Sequence, residues 1–260
     1  MPRQYLAALL ALVSLIILSL PTMTLSTPVP SAPPLGHYQR LMKRANATII
    51  TECTVPNSFA VTFDDGPSLW THELLDYLAI KNVKVTFFVN GLNYVSIEDP
   101  EFAAVVKRAY TEGHQIGSHT WAHADISAPG VDVASQMKML DDALIKIIGV
   151  RPVYMRPPYG NTSPDSLMWL GNEGYQVVNW VVDSNDWRHP TDFKADFQAY
   201  RVALQDPSAV GKGWISLQHD AEQGTAQVFS KLAIEYVLSK GFQVMPVASC
   251  LGDTTGWYRV

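Results

Sequence analysis

Two periodicities alternate along this chain. Short apolar and β-branched runs read as buried strands at 59–63, 83–89, 115–117, 153–155, 176–182, 214–217 and 242–245. Between them, apolar residues recur at helical spacing. Positions 72–80 form one such stretch, ended by Lys81-Asn82. Asp99 is placed to cap a second, with Pro100 in its first turn, running to Gly113. Val133, Met137, Leu140, Leu144 and Ile147 mark a third that stops at Gly149, and Ser163-Pro164 opens a fourth ending near Gly174. Phe193, Phe197, Tyr200 and Leu204 share a face of the next, and 225–240 is the last. Repeated strand–helix alternation means a parallel sheet. About seven units predict an α/β fold, a single distorted (β/α) barrel of about seven parallel strands.

The same pattern shows where polar residues interrupt it. Asp64-Asp65, His119, Arg156, Asp186 and His219 each fall at or just past the C-terminal end of a predicted strand. In a parallel barrel those ends share one face, the face on which active sites are built.

Composition changes the picture mainly at the N-terminus. With 260 residues, 47% of them hydrophobic, the chain can bury one large core. Residues 1–26 read as a secretory signal: Arg3 is the positive start, Leu6 to Leu20 the apolar stretch, and small residues follow Pro21. A membrane anchor is the competing reading, but the apolar run falls short of the roughly 20 residues a span needs. Residues 27–50 form a linker or pro-segment with Pro28, Pro30, Pro33 and Pro34. It holds a dibasic pair, Lys43-Arg44, and a glycosylation acceptor, Asn46-Ala47-Thr48. The catalytic domain is expected over 51–260, in a secreted, extracellular or cell-wall-associated protein that needs no membrane once the signal is gone. Removing the first 44 residues leaves 15 basic against 24 acidic residues, a net charge of −9. Such a surface repels phosphate backbones, so no nucleic-acid partner is expected, and a monomer is. The two cysteines, Cys53 and Cys250, lie near the ends of that domain. In an exported protein they predict a disulfide, with two isolated buried thiols as the alternative.

The candidate chemistry starts at Asp64-Asp65, which ends a buried strand before the turn signal Gly66-Pro67. Adjacent carboxylates repel unless a cation or a shifted pKa offsets them. Successive residues of an extended strand point apart, so one acid can hold a metal while the other handles a proton. Alone, the stretch reads equally well as a surface turn. His119 and His123 stand four apart, and on a helical segment both imidazoles would face one ion. Thr120 occupies the place of the glutamate in the His-Glu-x-x-His protease pattern, which excludes that class. Two histidines with one strand-end aspartate give three ligands and leave room for water, the composition of a catalytic divalent site. Arg156 can hold Asp64 ionised. Asp186 can keep His219 protonated as a general acid. Trp187 and Leu217 either wall a small apolar pocket or belong to the core.

Thr62-Phe63-Asp64-Asp65-Gly66-Pro67, the segment from His119 to His123, Arg156-Pro157-Pro158-Tyr159-Gly160, Asp183-Ser184-Asn185-Asp186-Trp187 and the segment from Ile215 to Asp220 together resemble, in order, the five motifs of the polysaccharide deacetylases. These are the carbohydrate esterases with the NodB homology domain. The resemblance spans roughly Cys53 to Cys250 and is nearest to secreted fungal chitin deacetylases. It implies Asp64 as general base, Asp65, His119 and His123 as ligands of Zn²⁺ (or Co²⁺ or another divalent ion), and Arg156 as partner of Asp64. It further implies the Tyr159 N–H as oxyanion donor, Asp186 as partner of the acid His219, and Trp187 and Leu217 against the acetyl methyl. The implied function is metal-dependent removal of N-acetyl groups from N-acetylglucosamine units of chitin or its oligomers. Acetylxylan or peptidoglycan deacetylation uses the same motifs and stays open. A chitin-binding module with a vestigial site is the non-enzymatic alternative, and intact Asp64 and His219 argue against it. The loops at 91–98 and 188–192 are expected to shape the cleft.

Overall fold

The computed structural model describes residues 46–189, 191–205, 209 and 211–260; the expected signal, Lys43-Arg44 and most of the expected linker lie outside them. Asn46 is described and exposed. In chain order the strands are β1 (Ile49–Ile50), β2 (Ser58–Ala60), β3 (Thr62–Asp64), β4 (Thr86–Val89), β5 (Gln115–Ser118), β6 (Arg151–Pro152), β7 (Tyr154–Met155), β8 (Gln176–Val178), β9 (Val182–Asp183), β10 (Trp214–His219), β11 (Gln243–Val244) and β12 (Tyr258–Arg259). The helices are α1 (Thr71–Lys81), α2 (Pro100–Thr111), α3 (Val133–Ile148), α4 (Pro164–Asn172), α5 (Phe193–Gln205), α6 (Ser230–Ser239) and α7 (Val247–Cys250).

The main sheet runs β1-β8-β7-β5-β4-β3-β10-β2-β11, with β9 added on β10, and its pairings are parallel. β2 and β3 are one strand interrupted at Val61. The row returns on itself through 176–183. β8 pairs with β7, and after a break at 179–181 the same segment, now β9, pairs with β10. The Val181 N–H donates to the Ile215 carbonyl across the join. This is the distorted barrel, and the C-terminal strand ends that carry Asp64, Asp183 and His219, with His119 just past another, lie on one face.

Alternation along β3 explains how the core and the site divide. Val61 and Phe63 point into the apolar layer with Leu74, Leu75 and Leu78 of α1, Val105 and Val106 of α2, and Ile234 and Val237 of α6. Phe63 stacks on Phe87 of β4 at 5.4 Å between ring centroids. Thr62 and Asp64 point the other way and meet Arg156.

Several local expectations change. Asp99 precedes α2 but its side chain caps nothing, whereas Asp132 caps α3 through the Ser135 N–H and Ser163 forms a full capping box on α4. The 225–240 helix begins as a wide π turn over Thr225–Phe229 before α6. Ile49 and Ile50, expected in the linker, pair with Val177 and Val178. β6 and β12 form a small antiparallel pair that no apolar run announces. The cysteines are bonded, with Cα atoms 5.0 Å apart across 197 residues. Cys53 follows β1, and Cys250 is the last residue of α7. Closing so long a loop contributes up to about 5 kcal/mol in the chain-entropy account.

Candidate active site

Asp64 is the last residue of β3, and only 2% of it is exposed. Its Oδ1 accepts from Arg156 Nη1 at 2.8 Å. Arg156 is wholly buried, a costly placement for a guanidinium unless its donors are matched. Four of its five N–H groups are matched: Nη1 also donates to Thr62 Oγ1 at 2.5 Å, Nε to the Val178 carbonyl at 3.3 Å and Nη2 to the Asn179 carbonyl at 3.2 Å. The guanidinium lies over the Phe88 ring at 4.4 Å. Burial raises the pKa of Asp64, and the positive charges of Arg156 and His219 pull against that rise. The result is an oriented carboxylate with more appetite for a proton than an exposed aspartate.

Asp65 departs from the strand in the left-handed region, with φ of 73°, and this turns its side chain away from Arg156. Its Oδ1 lies 3.5 Å from His119 Nε2 and 3.3 Å from His123 Nε2. The histidines are not on a helix. His119 follows β5 directly, and the chain then turns through Thr120 at φ 67° and His123 at φ 50°, which bring the second imidazole back beside the first. Asn90 holds this turn, its Nδ2 donating to the carbonyls of His119 and Thr120. His119 Nδ1 donates to the Arg156 carbonyl at 2.7 Å, so Nε2 is the free lone pair facing Asp65. Burial, with help from nearby cations, lowers the pKa of His119 to about 3, even though the Asp65 charge opposes it.

A divalent ion fits these residues. Asp65 Oδ1 is buried without a hydrogen-bond partner, a cost that a cation would remove. The three ligand atoms lie within 4.8 Å of one another. Ligands about 2.1 Å from a tetrahedral or octahedral ion stand roughly 3.0–3.4 Å apart, close to the separations found here. One carboxylate and two neutral imidazoles suit a zinc-like ion.

Across the cleft, His219 ends β10 and its Nδ1 bonds Asp186 Oδ1 at 2.8 Å. Asp186 is fully buried and saturated: its Oδ2 accepts from the His219 N–H at 2.7 Å and from Thr225 Oγ1 at 2.8 Å. Ser184 Oγ donates to its other oxygen at 3.0 Å. Although burial alone would raise the Asp186 pKa, these bonds lower it. Burial alone would lower that of His219, yet the Asp186 carboxylate, with the charges of Asp65 and Asp64, raises it to about 9. At neutral pH His219 is an imidazolium.

Between these two groups lies a cleft of about 510 Å³. Asp64, Asp65, His119, His123, Tyr159, Trp187, Leu217 and His219 line it, with Arg156 and Asp186 directly behind. Tyr159, at φ 60°, sets its ring edge-on to His123 at 4.7 Å. Trp187 is half exposed under Arg188, and Leu217 is buried. Loop residues Asn93, Tyr94 and Arg188 also line the cleft, as the expected cleft loops require. Trp180, Asp183 and Glu222 line it too and carried no role in the sequence reading. Thr62, which bridges Arg156 to the Ser216 carbonyl, was likewise legible only as a strand residue. Asp220 sits beside His219 and is fully buried, and burial lifts its pKa to about 7. Its place at the end of the fifth motif, next to a predicted acid, was the available signal.

The protein-family model described as polysaccharide deacetylase matches residues 51–178. A chitin deacetylase of Pestalotiopsis sp is 46% identical over 214 residues, 82% of this chain and 70% of that protein. A chitin deacetylase of Arthroderma benhamiae is 38% identical over 82% of this chain, which spans only 57% of that relative's length. The solved structure of the chitin deacetylase from Colletotrichum lindemuthianum superposes with a TM-score of 0.76 at 34% identity, covering 82% of this chain and 95% of that one.

Proposed function

This chain belongs to the polysaccharide deacetylase family, and we propose that it hydrolyses the N-acetyl groups of N-acetylglucosamine units in chitin or its oligomers, releasing acetate and leaving chitosan. One observation carries the reading. Two adjacent carboxylates diverge, Asp64 to a buried arginine and Asp65, with an unpaired oxygen, to two imidazole nitrogens, and both face a protonated histidine across one cleft. A sugar-binding module needs none of these groups.

Asp65, His119 and His123 would hold a divalent ion, zinc in our proposal, which supplies Lewis-acid polarisation of the acetamide carbonyl and of water. Asp64, oriented by Arg156, takes the proton of the attacking water. The Tyr159 N–H donates to the oxygen on which negative charge develops. His219, kept protonated by Asp186, gives its proton to the departing amine, which would otherwise be a poor leaving group. Trp187 and Leu217 close around the methyl of the acetyl group. The catalytic unit begins no later than β1, at Ile49, and runs through 260; export follows from the 1–26 signal, to an extracellular or cell-wall location, with Asn46 open to glycosylation. No helix among the described residues is long and apolar enough to cross a membrane.

Acetate release decides the matter. The purified protein should liberate acetate from chitin oligomers in preference to acetylated xylan or peptidoglycan, lose this on chelation, and regain it with zinc. Preference for xylan esters or peptidoglycan would replace the substrate; full activity in verified metal-free protein would end the mechanism.

A further inference from the structure

Gly66 follows Asp65, yet it is not one of the left-handed glycines. Its lack of a side chain answers a need for space. A methyl group there would overlap both carboxylate oxygens of Asp220, with Cγ only 2.8 Å away. The Asp220 carboxyl is therefore seated flat against the backbone that presents Asp65. It is tied there from the far side of the same turn, since Thr71 Oγ1 donates to Asp220 Oδ2 and Ser68 Oγ donates to the Asp220 carbonyl at 2.7 Å. Thr71 Oγ1 in turn accepts the Ser68 N–H at 2.9 Å, closing the turn on itself. Asp220 is wholly buried and its Oδ1 has no partner, so its position is an expense to stability that packing alone does not explain. Asp220 is also the next residue after His219. One side chain thus joins the segment carrying a ligand carboxylate to the strand end carrying the acid.

We propose that Asp220 is a positioning residue: wedged against Gly66 and held by Thr71 and Ser68, it sets where Asp65 stands relative to His119, His123 and His219. The inference rests on the reading of Asp65 as a metal ligand. It acts through the backbone of 65–68 and touches no substrate.

A double-substitution cycle read by zinc affinity tests it, using chelator-stripped protein titrated with zinc against a chromophoric competitor. This readout stands apart from acetate release, so a wrong substrate leaves it intact. Gly66→Ala in the parent should weaken zinc binding roughly 10–100-fold, the usual cost of disturbing an outer support of a ligand. Asp220→Ala, which frees the turn, should cost about tenfold or more. Gly66→Ala added to Asp220→Ala should then cost less than about threefold, because the overlapping group is gone. In activity, Asp220→Ala should lower kcat and leave KM near its parent value, while Asp220→Asn, which keeps the shape and the acceptor for Thr71, should restore most of the affinity. Equal penalties for Gly66→Ala in both backgrounds, or parent-like zinc binding in Asp220→Ala, would overturn the proposal. If Asp220→Ala does not fold, Thr71→Val decides: a several-fold loss of zinc affinity is expected, and parent-like affinity overturns it.

Discussion

Two histidines, His119 buried and His219 partly buried, face the same cleft and are driven in opposite directions. His119 is lowered to about 3 and His219 raised to about 9, although each has carboxylates nearby. The difference lies in what Nδ1 meets. For His119 it is a neutral peptide carbonyl, with His123 and Arg156 close enough to disfavour a positive ring. For His219 it is the Asp186 carboxylate at 2.8 Å, itself held ionised by Thr225, Ser184 and a backbone N–H. The first arrangement makes a lone pair available to a cation; the second stores a proton. The aspartates divide in the same way, Asp64 against a guanidinium and Asp65 against two free ring nitrogens. Residue type does not assign the role; the partner of the second atom does.

The largest effect should come from removing the base. Asp64→Asn keeps the shape, and acetate release should fall by roughly 10²–10⁴. Zinc content, measured by atomic emission, should be unchanged because Asp65, His119 and His123 are untouched. His219→Ala should also keep the metal but fail selectively. An amine must be protonated to leave, whereas an activated aryl oxide departs without help. Its loss on N-acetyl substrates should therefore exceed its loss on an aryl acetate by about tenfold or more. Equal losses on both substrates would remove His219 from the acid role.

Next in size is the pH profile. With His219 at about 9, activity should hold to pH 8 and decline above 9. Asp186→Asn keeps the hydrogen-bonding outline but removes the charge that holds the proton, so the alkaline limb should move towards the ordinary histidine range. At pH 8 the variant should be down roughly 10–30-fold beyond any loss seen at pH 6. A limb that stays at 9 would show that Asp186 does not hold this proton.

The fold class was readable because short apolar runs alternate with helical stretches, a pattern only a parallel sheet covered on its faces explains. Two cysteines leave one possible bridge, and Cys53 and Cys250 form it. Closure of the barrel was less visible, because the segment that makes it breaks at 179–181 and pairs with different neighbours before and after. Helical spacing misdescribed the segment from His119 to His123: the imidazoles converge through positive φ at Thr120 and His123, which residue type does not announce for either. Trp180, Tyr94 and Glu222 reach the cleft from loops, where no periodicity marks direction. Asp220 illustrates the deeper gap, since its neighbour in space is a glycine 154 positions away in the chain.

The smallest expected effect turns the same two histidines into opposite slopes of stability. His219 has its folded pKa raised from 6.5 to about 9, so the folded state binds its proton more tightly than the unfolded chain. That contribution is complete below pH 6.5 and disappears as pH rises through 9. His119 is lowered from 6.5 to about 3, so the unfolded chain takes its proton first, and stability falls as pH drops below 6.5. Metal-free protein should therefore be most stable near pH 6.5 with respect to this pair. Between pH 6.5 and 9.5, His219 should account for a loss of roughly 1–3 kcal/mol, at 1.36 kcal/mol per unit with part screened by the open cleft. In a domain of this size each kcal/mol moves the Tm by about 2–4 °C. Calorimetry of chelator-treated wild type and His219→Gln at both pH values isolates the effect, because every other group titrates in both proteins. The wild type should lose several degrees more than the variant across that interval, and parallel declines would show that the His219 proton is not held by the fold.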